Sequence, residues 1–289
     1  MKKQQNRQKF LAAMFDFDGT LTERTPRSPV PRSLIKTLED LSKIVPLALC
    51  TARPFRTAYP KMQSCFGEKF EKMGWVLIVE NGCAGFELNG RGKWVEFYRV
   101  KWPEKSINKA KLTRTIKKKL KEFIGHNGED FQYNESSLIM QPSYENADNS
   151  GNASNDEIAK RCDVLEKGIK GVLKKFAGAN KIKVKNSKLG IIIIPKIADK
   201  DTGIEKFGEY LKKNRKMKFS AKYREIITVG DQPEKGGNDE MFLNGRIGTP
   251  FTAGEILKLK KYPLGVYKNK KRLIGPSATE HLLKTVKFC

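Results

Sequence analysis

The segment Phe10-Leu11-Ala12-Ala13-Met14-Phe15 is apolar on both faces and then stops at Asp16-Phe17-Asp18-Gly19. A strand buried on both faces belongs in the middle of a parallel sheet, with helices covering each side. That constrains the chain to a layered α/β architecture before any other residue is read. Side chains alternate along a strand, so Asp16 and Asp18 set out on the same side, two residues apart. Gly19 lets the backbone turn and come close to a ligand. Acids at the carboxyl end of a central strand sit where open α/β sheets bind ligands. Two such carboxylates repel each other unless a cation lies between them. A hard divalent ion with oxygen ligands answers this, and Mg²⁺ held by carboxylates plus a substrate phosphate is the common case.

The rest of the chain supports that architecture. A loop rich in Pro and Arg runs from Thr22 to Pro31. Ser33 to Leu41 has helical spacing, with Ser33 as the expected N-cap. Val45 to Thr51 reads as a second buried strand ending in a hydroxyl. A helix over Phe55 to Cys65 and a third strand over Trp75 to Gly82 follow. This alternation predicts a Rossmann-like doubly wound parallel sheet.

The pattern changes after Gly82. A hairpin is expected over Gly85 to Phe97, turning at Asn89-Gly90. An amphipathic helix over Ile107 to Ile124, two short strands between Phe131 and Gln141, and a polar loop over Glu145 to Asn155 come next. A helix over Asp156 to Phe176 and strands over Lys181 to Lys185 and Leu189 to Pro195 complete an α+β insertion on an antiparallel sheet. The α/β pattern resumes with a helix from Thr202 to Lys213 and a strand that ends at Val229-Gly230-Asp231. The expected division is a core over 1–83 and 196–289 and an inserted unit over 84–195, with hinges near Gly82-Cys83 and Pro195 to Ile197.

Asp16 to Thr20 also resembles the first motif, DxDGT, of the haloacid dehalogenase superfamily, without a mismatch. The resemblance implies Asp16 as a nucleophile that takes a phosphoryl group and Asp18 as general acid/base. The chemistry is consistent: a carboxylate can carry a covalent phosphoryl intermediate, and a neighbouring acid can serve the leaving oxygen and then water. Thr51, in Leu49 to Pro54, resembles the hydroxyl of the second motif, and Arg53 is implied to meet substrate. Lys200 resembles the lysine of the third motif, ahead of Lys196 and Lys206. A cation is needed there because negative charge concentrates on the transferring group. Val229 to Asp239 resembles the fourth motif, implying Asp231 as a direct Mg²⁺ ligand, with Asp239 and Asn238 completing the shell, directly or through water, or orienting the loop. Asp16 and the backbone carbonyl of Asp18 are the other implied ligands.

The insertion lies between the second and third motifs, the position of C2-type caps, and its element order resembles the C2B caps of sugar-phosphate phosphatases and phosphomannomutases. The Gly236-Gly237-Asn238-Asp239 loop resembles the mutases, but Gln132 to Tyr144 lacks their arginine-bearing segment. The resemblance therefore implies first a Mg²⁺-dependent phosphatase of a small phosphorylated metabolite, a sugar phosphate. A phosphohexomutase stays open as the alternative. Asn81, in the widely shared Glu80-Asn81-Gly82 turn, and Lys188, in the Asn186-Ser187-Lys188 turn, are the remaining candidate substrate-binding residues, with Gln132, Asn134 and Gln141 as further cap positions.

The formal net charge of +25 raises nucleic acid as a partner,. The basic residues are spread evenly, however, and runs such as Lys117-Lys118-Lys119 and Lys258 to Lys261 read as solvated faces. Anionic small substrates are the preferred reading, with a polynucleotide-binding or polynucleotide-dephosphorylating protein kept as an alternative. The five cysteines show no CxxC or zinc spacing and fit reduced thiols in a cytoplasmic setting,. His126 and His281 are expected at the surface. No apolar run approaches the ~20 residues of a membrane span, and the basic N-terminus leads into a first strand rather than a signal peptide.

Overall fold

The computed structural model describes residues 8–24, 28–120, 131–142, 153–256 and 261–289. The principal elements are β1 (Ala12–Phe15), α1 (Arg32–Ser42), β2 (Leu47–Cys50), α2 (Phe55–Phe66), β3 (Val76–Val79), β4 (Ala84–Leu88), β5 (Trp94–Arg99), α3 (Lys109–Lys119), β6 (Phe131–Tyr133) and β7 (Leu138–Met140). Then come α4 (Asn155–Leu173), β8 (Ile182–Asn186), β9 (Ile191–Pro195), α5 (Lys200–Arg215), β10 (Ile226–Gly230), β11 (Thr249–Thr252), β12 (Leu264–Gly265) and α6 (Gly275–Thr285). They form two compact units. No helix among the described residues is long and apolar enough to cross a membrane.

The first unit comprises Met1–Arg99, Asp199–Lys235 and Asp239–Cys289. Its eight-stranded sheet has the order β12-β11-β10-β1-β2-β3-β4-β5. The first six strands pair in parallel; β4 and β5 are antiparallel. Alternation divides the core into two layers. Ala13, Phe15, Leu47, Leu49, Leu77 and Val79 meet Leu34, Leu38, Met62 and Leu282 of α1, α2 and α6. Ala12, Met14, Ala48, Val76 and Ile78 meet Ile204, Phe207 and Leu211 of α5 on the other face. Helices on both faces make β1 buried throughout, as its unbroken apolar sequence requires,. The chain winds in opposite directions away from β1 and β10, so their carboxyl ends flank a crevice at a topological switch point,.

The second unit comprises Val100–Ala198 with Gly236–Asn238. Its antiparallel sheet has the order β6-β7-β9-β8. Leu138, Met140, Ile191 and Ile193 of this sheet pack against Leu112 and Ile116 of α3 and Ile158, Leu165 and Ile169 of α4. Asn108 caps α3, and Ser154 with Glu157 forms a capping box at α4,.

Several expectations are corrected. The hairpin joined at Asn89-Gly90 belongs to the first unit, because β4 pairs with β3 and extends the large sheet. The unit boundaries therefore fall at 99/100 and 198/199 rather than 83/84 and 195/196. A period-two pattern marks a strand but not the edge it joins. Gly82 consequently lies within the core unit and is no hinge between units. Ser33 does not cap α1; the N-cap is Pro31, and Ser33 Oγ donates to Glu280. Helix α5 begins at Lys200, two residues earlier than expected. The tail of the helix expected to reach Ile124, most of the polar loop from Glu145, His126, Tyr144 and 258–260 of the lysine run lie outside the described residues.

Candidate active site

Three parallel strands deliver the candidate residues. The Asp16 N–H donates to Val229 O at 2.8 Å, which carries the pairing of β1 and β10 one residue past the end of β1. Asp231 follows β10 directly, and Thr51 follows β2 with its N–H on Ile78 O at 2.9 Å. Gly19 has φ of 79°, and a Cβ there would lie 2.1 Å from Asp231 Oδ2. Only a residue without a side chain lets the turn after Asp16 approach Asp231 this closely.

Lys200 is fully buried at the start of α5. Its Nζ donates to Asp16 Oδ1 at 2.6 Å and to Asp239 Oδ1 at 2.5 Å. Asp239 Oδ2 accepts the backbone N–H groups of Asp231 (2.9 Å) and Gln232 (3.2 Å). One carboxylate thus fixes both the ammonium and the loop that presents Asp231. Burial works against the Lys200 charge, yet the Asp16 and Asp239 carboxylates overcome it and raise the ammonium above its ordinary value. Lys196 and Lys206 are not in this cluster; Lys196 is exposed in the second unit and Lys206 pairs with Glu209.

Carboxylate oxygens of Asp16, Asp231 and Asp239 lie within 4.8 Å of one another, all buried. Burial pushes the Asp16 carboxyl up to about 7; Lys200 pulls the other way and Asp239 adds to the rise. Asp231 is also raised, by burial and then by Asp239, against the pull of Arg24, whose Nη1 lies 3.5 Å from Asp231 Oδ2. Among the described residues, Asp231 Oδ1 is buried with no hydrogen-bond partner. A divalent cation would supply that missing partner and favour the charged forms of both acids. This donor set is hard oxygen only, as Mg²⁺ requires. Asp16 and Asp231 are the residues that would hold the ion. Asp239, expected in the metal shell, belongs to the same cluster and also anchors Lys200 and the backbone N–H groups of Asp231 and Gln232. The Asp18 side chain is outside the cluster.

Asp18 is paired instead with Arg53, whose Nη2 lies 3.2 Å from both of its oxygens. The Thr51 Oγ1 accepts the Arg53 N–H at 3.3 Å, so hydroxyl and guanidinium are set by one short loop. Asn81, expected to bind substrate, is fully buried and donates from Nδ2 to Asp199 Oδ1 at 3.1 Å. Lys188 lies in the second unit, where its ammonium pairs with Asp163 Oδ1 at 2.5 Å. Two contributors were not anticipated. Asp199 is the N-cap of α5, legible in hindsight from the Asp199-x-x-Thr202 spacing of a capping box,. Arg24 carried no such signal. A pocket of about 600 Å³ lined by Gly19, Arg24, Asp231, Tyr262, Pro263 and Ile274, among others, opens beside Asp231.

The sequence matches no protein-family model and no curated protein. Solved structures do resemble this one. The C-terminal domain of trehalose-6-phosphate phosphatase from C. albicans matches with a TM-score of 0.60 at 16% identity, covering 96% of this chain and 92% of that one. An N-terminally truncated IMP-nucleotidase from Plasmodium falciparum gives 0.56 at 18%, covering 96% and 70%. A haloacid dehalogenase-like hydrolase from Bacteroides thetaiotaomicron gives 0.53 at 16%, covering 84% and 88%. At these identities the likeness is one of fold.

Proposed function

We propose that this chain, whose fold is that of the haloacid dehalogenase-like hydrolases, is a Mg²⁺-dependent phosphatase acting on a small phosphorylated metabolite. The observation that carries the reading is the buried Asp16–Lys200–Asp239 array beside Asp231 at the carboxyl ends of β1 and β10. A purely structural role does not call for three clustered buried carboxylates, two of them on one lysine, because burying charge is costly unless each member is compensated.

The Asp16 carboxylate attacks phosphorus, and the ester P–O bond breaks as an aspartyl-phosphate forms. Lys200 holds Asp16 in place and offsets the charge that gathers on the phosphoryl oxygens. Asp18 gives its proton to the departing oxygen, then takes one from the water that attacks phosphorus. The Asp16–phosphorus bond breaks, inorganic phosphate leaves, and both carboxyl groups return to their starting states. Thr51 offers a hydroxyl to the phosphoryl oxygens, and Arg53 orients Asp18 or the substrate. Mg²⁺, which Asp16 and Asp231 would hold, would supply positive charge to neutralise and orient the phosphoryl group,.

A pocket of about 600 Å³ exceeds what phosphate alone fills and suits a small organic leaving group,. The sugar-phosphate class is supported by fold analogy to the trehalose-6-phosphate phosphatase domain,. The second unit is read as a C2B-type cap, and Lys188 within it as a substrate-binding candidate. The test is phosphate release from p-nitrophenyl phosphate and a panel of sugar phosphates and nucleotides, by the native protein and by Asp16→Asn. Phosphate release should vanish in the variant while its fold persists; near-native turnover by Asp16→Asn refutes the nucleophile. Conversion of hexose 1-phosphate to hexose 6-phosphate, in place of free phosphate, would identify a mutase instead.

A further inference from the structure

The turn Glu80-Asn81-Gly82 joins β3 to β4 with a left-handed backbone at three successive residues, φ being 51°, 57° and 90°. Non-glycine residues are strained there and persist only where the surroundings over-determine them. The turn touches the active-site machinery on two sides. Its backbone holds the loop after β2: Glu80 N–H donates to Arg53 O and Asn81 N–H to Thr51 O, each at 2.9 Å. Its one amide side chain holds the helix that carries the lysine. Asn81 Nδ2 donates to Asp199 Oδ1 at 3.1 Å, and the same oxygen accepts the Lys200 N–H at 2.9 Å. A Cβ on Gly82 would lie 2.0 Å from Asp199 O, so the turn and the helix start are in direct contact. Among the described residues, the Asn81 Oδ1 is buried with no hydrogen-bond partner. Such a group is destabilising by itself and calls for a compensating role.

We propose that Asn81 is a positioning residue for Lys200. Its amide clamps the Asp199 carboxylate, which fixes the first turn of α5 and so aims the ammonium at Asp16. The role rests on the phosphoryl transfer described above, in which Lys200 must stay at 2.6 Å from Asp16 Oδ1. Any residue can supply the N–H to Thr51; only a side-chain donor reaches Asp199. Asparagine meets both demands, because it tolerates a left-handed backbone better than most residues and its amide donates. Aspartate has nearly the same shape but no donor.

Three variants separate positioning from mere structure. Asn81→Gly keeps the left-handed backbone without steric cost and deletes only the amide. Asn81→Asp sets two carboxylates against each other. Asn81→Asp combined with Asp199→Asn restores a donor–acceptor pair with its direction reversed, and asparagine still caps the helix. In aryl-phosphate turnover, Asn81→Gly should lose ~10- to 100-fold in kcat, the order that a shift of about 1 Å in a reacting group produces. Asn81→Asp should lose more. KM should stay within about threefold, and the paired exchange should bring kcat back to within about threefold of the native value. Native kcat in Asn81→Gly, or no recovery in the paired exchange, overturns the proposal. If the native protein hydrolyses no phosphomonoester, the proposed function fails, and the positioning role is judged by a crystal structure of Asn81→Gly. There Lys200 Nζ should have moved out of hydrogen-bond reach of Asp16; an unchanged separation overturns the inference.

Discussion

Asp239→Asn removes one charge and almost no volume, and the surroundings leave the new amide no good orientation. Asp239 is fully buried. One of its oxygens meets Lys200 Nζ at 2.5 Å, and the other meets the N–H groups of Asp231 and Gln232 at 2.9 and 3.2 Å. With the amide oxygen toward the backbone, its NH₂ faces an ammonium; with the amide flipped, its NH₂ faces two N–H donors. Either way a buried donor opposes a donor, which costs the desolvation of the unmet group. Removing one partner of a buried ion pair costs about 3–5 kcal/mol, and Lys200 keeps Asp16, so the lower end, about 3 kcal/mol, applies. For a chain of 289 residues that lowers the thermal midpoint by roughly 5 °C. The assay is urea and thermal unfolding in chelator, compared with the native protein. Turnover should fall as well, because both Lys200 and the Asp231 loop lose their anchor. A stability change below about 1 kcal/mol, the size of an exposed ion pair, would refute the geometry.

Asp231→Ala should abolish turnover or sharply raise the Mg²⁺ concentration it needs, since Asp231 Oδ1 is a buried carboxylate oxygen in the acidic cluster left without a partner among the described residues; full activity after exhaustive chelation would contradict the metal reading. Ca²⁺ should inhibit, because its larger and looser shell departs from the octahedral arrangement, and equal turnover in Ca²⁺ would count against Mg²⁺-type coordination. Stability in chelator should depend on pH through Asp16, whose carboxyl is pushed up to about 7. A carboxyl raised on folding contributes stability that is present below its unfolded value of about 3.9 and is lost as pH rises through about 7. Urea midpoints should therefore fall between pH 5 and pH 8, and fall less with Mg²⁺ or in Asp16→Asn; parallel curves for all three would refute the assignment.

The local sequence determined what depends on local physics. The unbroken apolar run through Phe15 made β1 a doubly covered central strand, and a period-two pattern placed Asp16 and Asp18 where that strand ends. Thr51 and Asp231 follow strands whose burial is equally plain in their composition. The tertiary structure decided what depends on distant partners. Asn89-Gly90 announces a hairpin, but only pairing with β3 assigns it to the first unit. Resemblance to the third motif favoured Lys200 over Lys196 and Lys206, yet what distinguishes it is complete burial against Asp16, 184 residues away. Asn81 looked like a substrate contact from its turn, and its amide proves to face Asp199, 118 positions on. Periodicity and turn chemistry act over a few residues and can be read along a chain. Desolvation, charge pairing and edge choice arise only when the packed layers bring remote residues together.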